Sequence, residues 1–207
     1  MRLIAIRHAQ SEWNAVGRVQ GQHDTRLTHL GHAQAQALVE RLSRISWDAL
    51  WCSDLTRARD TAAPLLTHTR RSAVYDARLR EIGFGAWEGE QFESVRVRDP
   101  QAYQRWRSDP ECRGHGGESL ADVARRAREV LEHALCQHRD GTILWVAHGG
   151  FLRLLACTLL DLSPENYWRL HLDSASISVV HVESARCRIA QWNDTRHLDG
   201  LEPVAKD

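Results

Sequence analysis

Two histidines in this sequence each stand at the end of a short apolar run. His8 follows residues 3–6 and Arg7, and His148 directly follows the run Thr142–Ala147. Apolar runs of this length are typical of strands that are buried on both faces of a parallel sheet. Because α/β proteins bind ligands at the carboxyl ends of such strands, the two imidazoles could lie together in one site.

Two arginines and one carboxylate can complete this site. Arg7 precedes His8, and Arg57 lies near the start of a predicted helix, whose N-terminus favours anions. Glu81 lies just past a third predicted strand, where it could donate a proton. Two arginines with two histidines and a helix start suit a phosphate group without a metal ion. From the Arg7-His8 pair alone, the alternative is structural: Arg7 caps its strand, and His8 makes a satisfied hydrogen bond at the edge of the core.

Strands and helices alternate along the rest of the chain, which predicts an α/β fold. The expected architecture is a three-layer sandwich, with a mostly parallel central sheet and helices on both faces. The predicted strands are residues 3–6, 49–52, 73–75, 142–147, 176–182 and 187–192, the last two joined by a turn near Ser184. The predicted helices are residues 28–42, 53–66, 119–138 and 151–160.

Residues 88–118 differ in composition from the rest of the chain. They are rich in arginine, glutamate and aromatic residues and contain two prolines, which predicts a helical lid inserted into a single domain of residues 1–207. The candidates to touch a substrate's leaving group are Phe92, Arg96, Tyr103, Trp106 and His115. For most of the lid aromatics, packing of the lid onto the domain is the favoured interpretation.

The composition excludes several classes of partner. Lysine plus arginine and aspartate plus glutamate number 27 each, so no global field attracts nucleic acid or a membrane surface. No apolar run approaches the length of a membrane span, which predicts a cytoplasmic protein. The five cysteines are scattered without a C-x-x-C pair, so neither a disulfide framework nor a zinc site is expected.

A series of short motifs, in order along nearly the whole chain, resembles a known family. Arg7 to Asn14 matches the signature R-H-G-x-T/S-x-x-N. Residues 17–28 match G-R-x-Q-G-x-x-D-x-P-L-T, residues 53–62 match S-x-L-x-R-A-x-x-T-A, and residues 79–89 match L-x-E-x-x-F-G-x-W-E-G. Three further matches are residues 116–119, 146–150 and 193–195. Together they are similar to the motifs of the histidine phosphatase superfamily, which has the phosphoglycerate mutase-like fold.

The resemblance implies a role for each matching residue. His8 is the expected nucleophile, which becomes phosphorylated, and Glu81 is the acid that protonates the leaving oxygen and then activates water. The expected ligands of the phosphoryl group are Arg7, Arg57 and His148 as catalytic residues, with Asn14, Gln20, Gly21 and Gly149 as substrate-binding residues. No metal ion and no cofactor are expected.

The resemblance therefore implies a metal-independent phosphomonoesterase that hydrolyses small phosphorylated metabolites through a phosphohistidine on His8. A cofactor-dependent phosphoglycerate mutase and a non-catalytic relative that binds a phosphorylated ligand are the alternatives. The mutase branch carries E-R-H-Y-G after the acid, where this chain has E-I-G-F-G from Glu81, which favours a phosphatase. Family members are often dimers, which makes a second copy of the chain a candidate partner.

Two positions depart from the family motifs. Ala9 replaces the signature glycine, which adds a methyl group where the backbone and the phosphate come close, and we expect this to tune activity rather than abolish it. Arg26 stands where proline is usual. Its side chain either adds a cation at the rim of the site or faces solvent, and the second is favoured.

Overall fold

The computed structural model describes residues 1–113, 116–183 and 186–201. These residues form a six-stranded sheet in the order β3-β2-β4-β1-β5-β6. The strands are β1 (Arg2–Arg7), β2 (Ala49–Cys52), β3 (Val74–Tyr75), β4 (Thr142–Ala147), β5 (Ile177–Glu183) and β6 (Arg186–Asp194). The first four run parallel to one another, whereas β5 is antiparallel to both β1 and β6. The predicted α/β fold with a mostly parallel sheet is confirmed.

Helices cover both faces of this sheet. They are α1 (Glu12–Ala15), α2 (His29–Leu42), α3 (Thr56–Thr69), α4 (Phe92–Arg98), α5 (Pro100–Ser108), α6 (Leu120–Gln137) and α7 (Gly149–Leu159). Along β1, Leu3 and Ala5 point into a core shared with α6 and α7. Ile4 and Ile6 point into a second core shared with α2 and α3. This alternation explains why the run is apolar throughout, because both of its faces are covered.

The helix boundaries follow local hydrogen bonding. Thr28 caps α2 by accepting a hydrogen bond from the backbone N–H of Gly31, as its position in the sequence suggests. Helix α3 begins at Thr56 rather than at residue 53, and α7 begins at Gly149 rather than at residue 151. The short α1 and a 3₁₀ helix over Pro164–Arg169 were not predicted. No helix in the described ranges is long and apolar enough to cross a bilayer.

Helices α4 and α5 pack onto the core that contains α6 and α7. At the centre of this contact, Trp106 is fully buried, with its ring centroid 5.4 Å from that of Phe84 and 5.2 Å from that of Trp168. The packing interpretation of this tryptophan is therefore correct. His115 and the turn near Ser184 lie outside the described residues, and the extent of the lid and the single-domain boundary stay predictions.

Candidate active site

The two histidines meet because their strands are neighbours. Strands β1 and β4 pair in parallel with Arg7 opposite Ala147, so His8 and His148 emerge at the same edge of the sheet. Their ring centroids are 5.0 Å apart, and both side chains are almost completely buried. Burial, reinforced by the guanidinium of Arg57, lowers the pKa of both imidazoles well below the usual range. Both rings are therefore neutral near pH 7.

The ring of His8 is held in one tautomer. Its Nδ1 lies 2.7 Å from the carbonyl oxygen of Ala9, and since a carbonyl can only accept, Nδ1 carries the proton. The backbone is fixed as well: the N–H of His8 donates to Ala147, and its carbonyl accepts from Ala175. The lone pair of Nε2 is therefore available for attack on an electrophile.

His148 is oriented by a neighbouring hydroxyl. Its Nε2 lies 2.8 Å from Ser53 Oγ, which also accepts a longer hydrogen bond from the backbone N–H of Leu55. Among the hydrogen bonds of the described residues, Nε2 is the one acceptor for the Ser53 hydroxyl proton, so the hydroxyl donates to Nε2 and the ring proton of His148 lies on Nδ1. This Nδ1 is buried and has no partner among the described residues. A buried donor without a partner is costly, so it marks a position where a ligand oxygen is expected.

Two guanidinium groups are held by carbonyl groups instead of carboxylates. Arg57 donates to the carbonyl oxygens of His23 and Gly21 at 2.9 and 2.7 Å, and Arg7 donates to that of Leu172 at 2.6 Å. Within the described ranges the Nε of each arginine is buried without a hydrogen bond. Burial lowers the pKa of Arg57 to about 10, so the group still carries its charge near pH 7. Neither arginine forms a direct ion pair within the described residues, although Glu81 lies near enough to both to interact electrostatically. Two guanidinium groups placed together in this way form an anion site.

The carboxylate of Glu81 sits at the N-terminus of α7. Its Oε1 accepts from the backbone N–H groups of Ile82 and Phe151 at 2.9 and 3.0 Å, and its Oε2 accepts from that of Gly150 at 3.0 Å. A β-carbon at Gly150 would overlap Glu81 Oε1 and would come within 2.7 Å of Ile82 Cδ1. At Gly149 it would lie 3.1 Å from Arg7 Nε. The two glycines therefore let the acid and the arginine approach the helix end closely.

The loop after α1 supplies a polar wall. Asn14 and Ser11 form a reciprocal capping box at the start of α1. The side-chain oxygen of Gln20 accepts hydrogen bonds from two hydroxyls, one of them that of Ser11. Gly21 has a φ of +55°, and a β-carbon there would overlap the carboxylate of Glu88, so both conformation and space require glycine.

These residues surround a cleft of about 130 Å³. Of the predicted site residues, Arg7, His8, Asn14, Gln20, Gly21, Arg57, Glu81 and Gly149 line it. His148 is not among the lining residues, but its ring centroid lies 5.0 Å from that of His8. The sequence analysis missed several lining residues: Arg18, Val19, Phe84, Gly150, Arg153, Tyr167 and Trp168. Arg153 follows Gly149 by one helical turn, a spacing that could have identified it.

The lid contributes little to the lining. Of the leaving-group candidates, Phe92 lines the cleft, whereas Arg96, Tyr103 and Trp106 do not. Arg96 instead pairs with Glu93 on the exposed face of α4. Trp106 packs the lid onto the domain, which is the favoured interpretation for the lid aromatics, and the side chain of Arg96 is exposed. A contact between these side chains and a leaving group stays a prediction.

The two departures from the family motifs are accommodated. Ala9 is fully buried, and its N–H donates to Thr61 Oγ1, which in turn donates to the carbonyl of Arg57. The nucleophile's loop and the arginine are thus linked through one hydroxyl. Arg26 is exposed, in agreement with the favoured solvent position.

Two guanidinium groups without a direct ion pair, beside an imidazole with a free lone pair, define a class of site that suits phosphoryl groups. Among the residues that the structure describes, no group of three or more histidine, cysteine, aspartate or glutamate side chains could hold a metal ion.

Comparison with known proteins identifies the family. The model for the histidine phosphatase superfamily (branch 1) matches residues 3–195. Phosphoserine phosphatase 1 of Hydrogenobacter thermophilus is 37% identical over 199 residues, covering 96% of this chain and 94% of that protein. The chain belongs to the histidine phosphatase superfamily.

Two solved structures share nearly the whole fold. A mutant phosphoserine phosphatase from Entamoeba histolytica in complex with phosphoserine has a TM-score of 0.87 and 28% identity, covering 95% of this chain and 98% of the other. A mycobacterial glucosyl-3-phosphoglycerate phosphatase in complex with VO3 has a TM-score of 0.86 and 36% identity, covering 94% and 99%. The predicted family and the predicted class of enzyme, a phosphoric monoester hydrolase, are confirmed.

Proposed function

We propose that this protein hydrolyses small phosphomonoesters without a metal ion, through a phosphohistidine on His8. The observation that carries the proposal is the hydrogen bond from Nδ1 of His8 to the carbonyl of Ala9, which leaves Nε2 as a nucleophile beside two arginines that are held by carbonyl groups. Phosphoserine and glucosyl-3-phosphoglycerate, which the names of the relatives give, are the first substrates to test.

The first half of the proposed reaction forms the phosphoenzyme. Arg7 and Arg57 bind the phosphoryl oxygens, and His148 Nδ1 donates to one of them. Nε2 of His8 attacks phosphorus while the bond to the leaving oxygen breaks, and a protonated Glu81 gives its proton to that oxygen. The carbonyl of Ala9 stabilises the positive charge that develops on the imidazole, because it accepts the hydrogen bond from Nδ1.

The second half restores the enzyme. Glu81, now a carboxylate, takes a proton from water as the water oxygen attacks phosphorus. The bond between phosphorus and Nε2 breaks, which returns the electron pair to the imidazole and releases inorganic phosphate. The arginines supply positive charge in both steps. The N–H groups of each planar guanidinium match the equatorial oxygens of the phosphoryl group that is transferred.

The test is release of phosphate from an aryl phosphate and from phosphoserine in the presence of EDTA. We expect the unmodified protein to be active and His8→Ala to be inactive. His32→Ala, on the exposed face of α2, is the matched control and should keep full activity. Equal hydrolysis by the unmodified protein and His8→Ala would show that His8 is not the nucleophile.

The role of Glu81 has a separate test. Glu81→Gln removes the proton donor, which contributes about 10²- to 10⁴-fold in typical enzymes. The loss should be much larger for an alkyl phosphate than for a nitrophenyl phosphate, because a nitrophenolate leaves without protonation. Equal losses for both substrates would contradict the assignment.

A homodimer, a cytoplasmic location and a lack of nucleic-acid or membrane partners stay predictions.

A further inference from the structure

Arg153 occupies a defined position in the wall of the cleft. It lies on α7, and its Nε donates to the carbonyl oxygen of Gly149 at 3.0 Å. Its guanidinium carbon lies 4.9 Å from the ring centroid of Tyr167 and 5.9 Å from that of Trp168, and both rings also line the cleft. One hydrogen bond and two aromatic faces therefore hold the group in place.

The positive charge of Arg153 is not matched by a carboxylate. Where other arginines such as Arg80 and Arg126 pair with acidic side chains, Arg153 makes no ion pair within the described part of the chain. Arg7 lies close enough to repel it electrostatically. In the proposed reaction Arg7 and Arg57 bind the phosphoryl group. Arg153 is a half-buried cation to which that reaction assigns no role. Because a partly buried charge is costly unless it is paired, a cation in the wall of the cleft favours a ligand that has a second anionic group.

The geometry selects the kind of anion. Because Nε of Arg153 is used by Gly149, the two terminal nitrogens remain, and this pair can bind two oxygens of a carboxylate or of a phosphoryl group. The cleft holds about 130 Å³, and Phe84, Phe92 and Trp168 form its apolar wall. Beside this apolar wall, the single charge of a carboxylate costs less to desolvate than the higher charge of a second phosphoryl group, which favours a carboxylate.

We propose that Arg153 binds a carboxylate on the leaving group, and that the substrate of this protein is a small phosphomonoester that carries one. The proposal rests on the proposed phosphatase function and assigns the feature that selects the substrate. Arg153 is a specificity residue, and it takes no part in the transfer of the phosphoryl group.

The test uses two substrates that differ only by the carboxylate, phosphoserine and phosphoethanolamine. For the unmodified protein, kcat/KM should be higher for phosphoserine. Arg153→Gln should lower kcat/KM for phosphoserine by about 10- to 100-fold, the range expected for a lost hydrogen bond to a charged group. The value for phosphoethanolamine should change less than threefold. Arg169→Gln, which removes an exposed arginine that bonds Asn166, is the matched control and should change neither.

The outcomes separate the two proposals. An equal loss for both substrates in Arg153→Gln would overturn the carboxylate proposal, because it would show a structural role or a contact to the transferred phosphoryl group. A preference of the unmodified protein for phosphoethanolamine would overturn it as well. Absence of hydrolysis of every phosphomonoester, aryl phosphates included, would overturn the phosphatase function itself.

A second measurement needs no variant, which matters if Arg153→Gln fails to fold. Two non-hydrolysable phosphonates, 2-amino-4-phosphonobutanoate and 3-aminopropylphosphonate, differ only by the carboxylate. In competition with an aryl phosphate, the first should inhibit the unmodified protein at least tenfold more strongly. Equal inhibition constants would contradict the proposal.

Discussion

Replacing Ser53 with alanine removes the group that sets the tautomer of His148. Ser53 Oγ lies 2.8 Å from Nε2 of His148, and neither side chain is accessible to solvent. Without the hydroxyl, the proton loses its preference for Nδ1, and Nδ1 then presents a lone pair to a phosphoryl oxygen. One hydrogen bond is worth about 1 to 1.5 kcal/mol, which corresponds to about a 5- to 12-fold change in the ratio of the two tautomers, away from the one protonated at Nδ1. In Ser53→Ala, Nε2 of His148 has lost its partner, which should lower the free energy of unfolding by about 1 to 3 kcal/mol.

The assay has three readouts: kcat/KM for an aryl phosphate, inhibition by vanadate, and urea unfolding. Ser176→Ala is the control, because Ser176 is equally buried, lies beside Arg7, and its hydroxyl has no hydrogen-bond partner in the described structure. The control should keep its stability and activity, whereas Ser53→Ala should lose both activity and vanadate affinity. A Ser53→Ala protein with unchanged kcat/KM and unchanged vanadate inhibition would refute the role assigned to His148.

Three further perturbations follow from the same geometry. Gly150→Ala places a methyl group against the carboxylate of Glu81, so kcat should fall at least about 100-fold in steady-state kinetics, and an unchanged kcat would contradict the assigned acid. Asn193 makes two hydrogen bonds to Asp173, beside the carbonyl that holds Arg7, so Asn193→Ala should weaken vanadate inhibition about tenfold. Below pH 6.5, the histidines of the unfolded chain bind protons. In the folded protein, the two buried histidines of the site stay neutral there, because burial lowers their pKa. Stability should therefore fall from pH 6.5 towards pH 5, by on the order of 1.4 kcal/mol per pH unit for each histidine, and a flat urea-unfolding profile would contradict their burial as neutral rings.

The centre of the site could be predicted because residue type and strand position agree there. Strands β1 and β4 are apolar throughout, which requires covering on both faces and hence a central place in the sheet. A charged or imidazole side chain at the end of such a strand is costly unless a ligand or a hydrogen bond compensates it. For that reason the sequence alone predicts His8, Arg7 and His148 at one edge of the sheet, although their adjacency also depends on the pairing of β1 with β4.

The rest of the cleft depends on contacts that the sequence does not encode locally. Tyr167 reaches the site from a 3₁₀ helix that has no periodic signal, and it does so only because this helix packs against α7. The hydrogen bond from Ser53 to His148 joins residues 95 positions apart. Trp106 follows the favoured packing interpretation, because aromatic residues in a short helical insertion are needed to bury the insertion itself.

In the proposed reaction, His8 carries the phosphoryl group during turnover. The most direct test is a rapid-quench experiment with a ³²P-labelled phosphomonoester, followed by alkaline denaturation, which preserves phosphohistidine, and by peptide mapping. We expect an acid-labile label that appears before phosphate is released, that approaches one per chain, and that maps to the peptide containing His8. We expect no label in His8→Ala. A label on another residue, or full turnover by His8→Ala, would show that His8 is not the nucleophile.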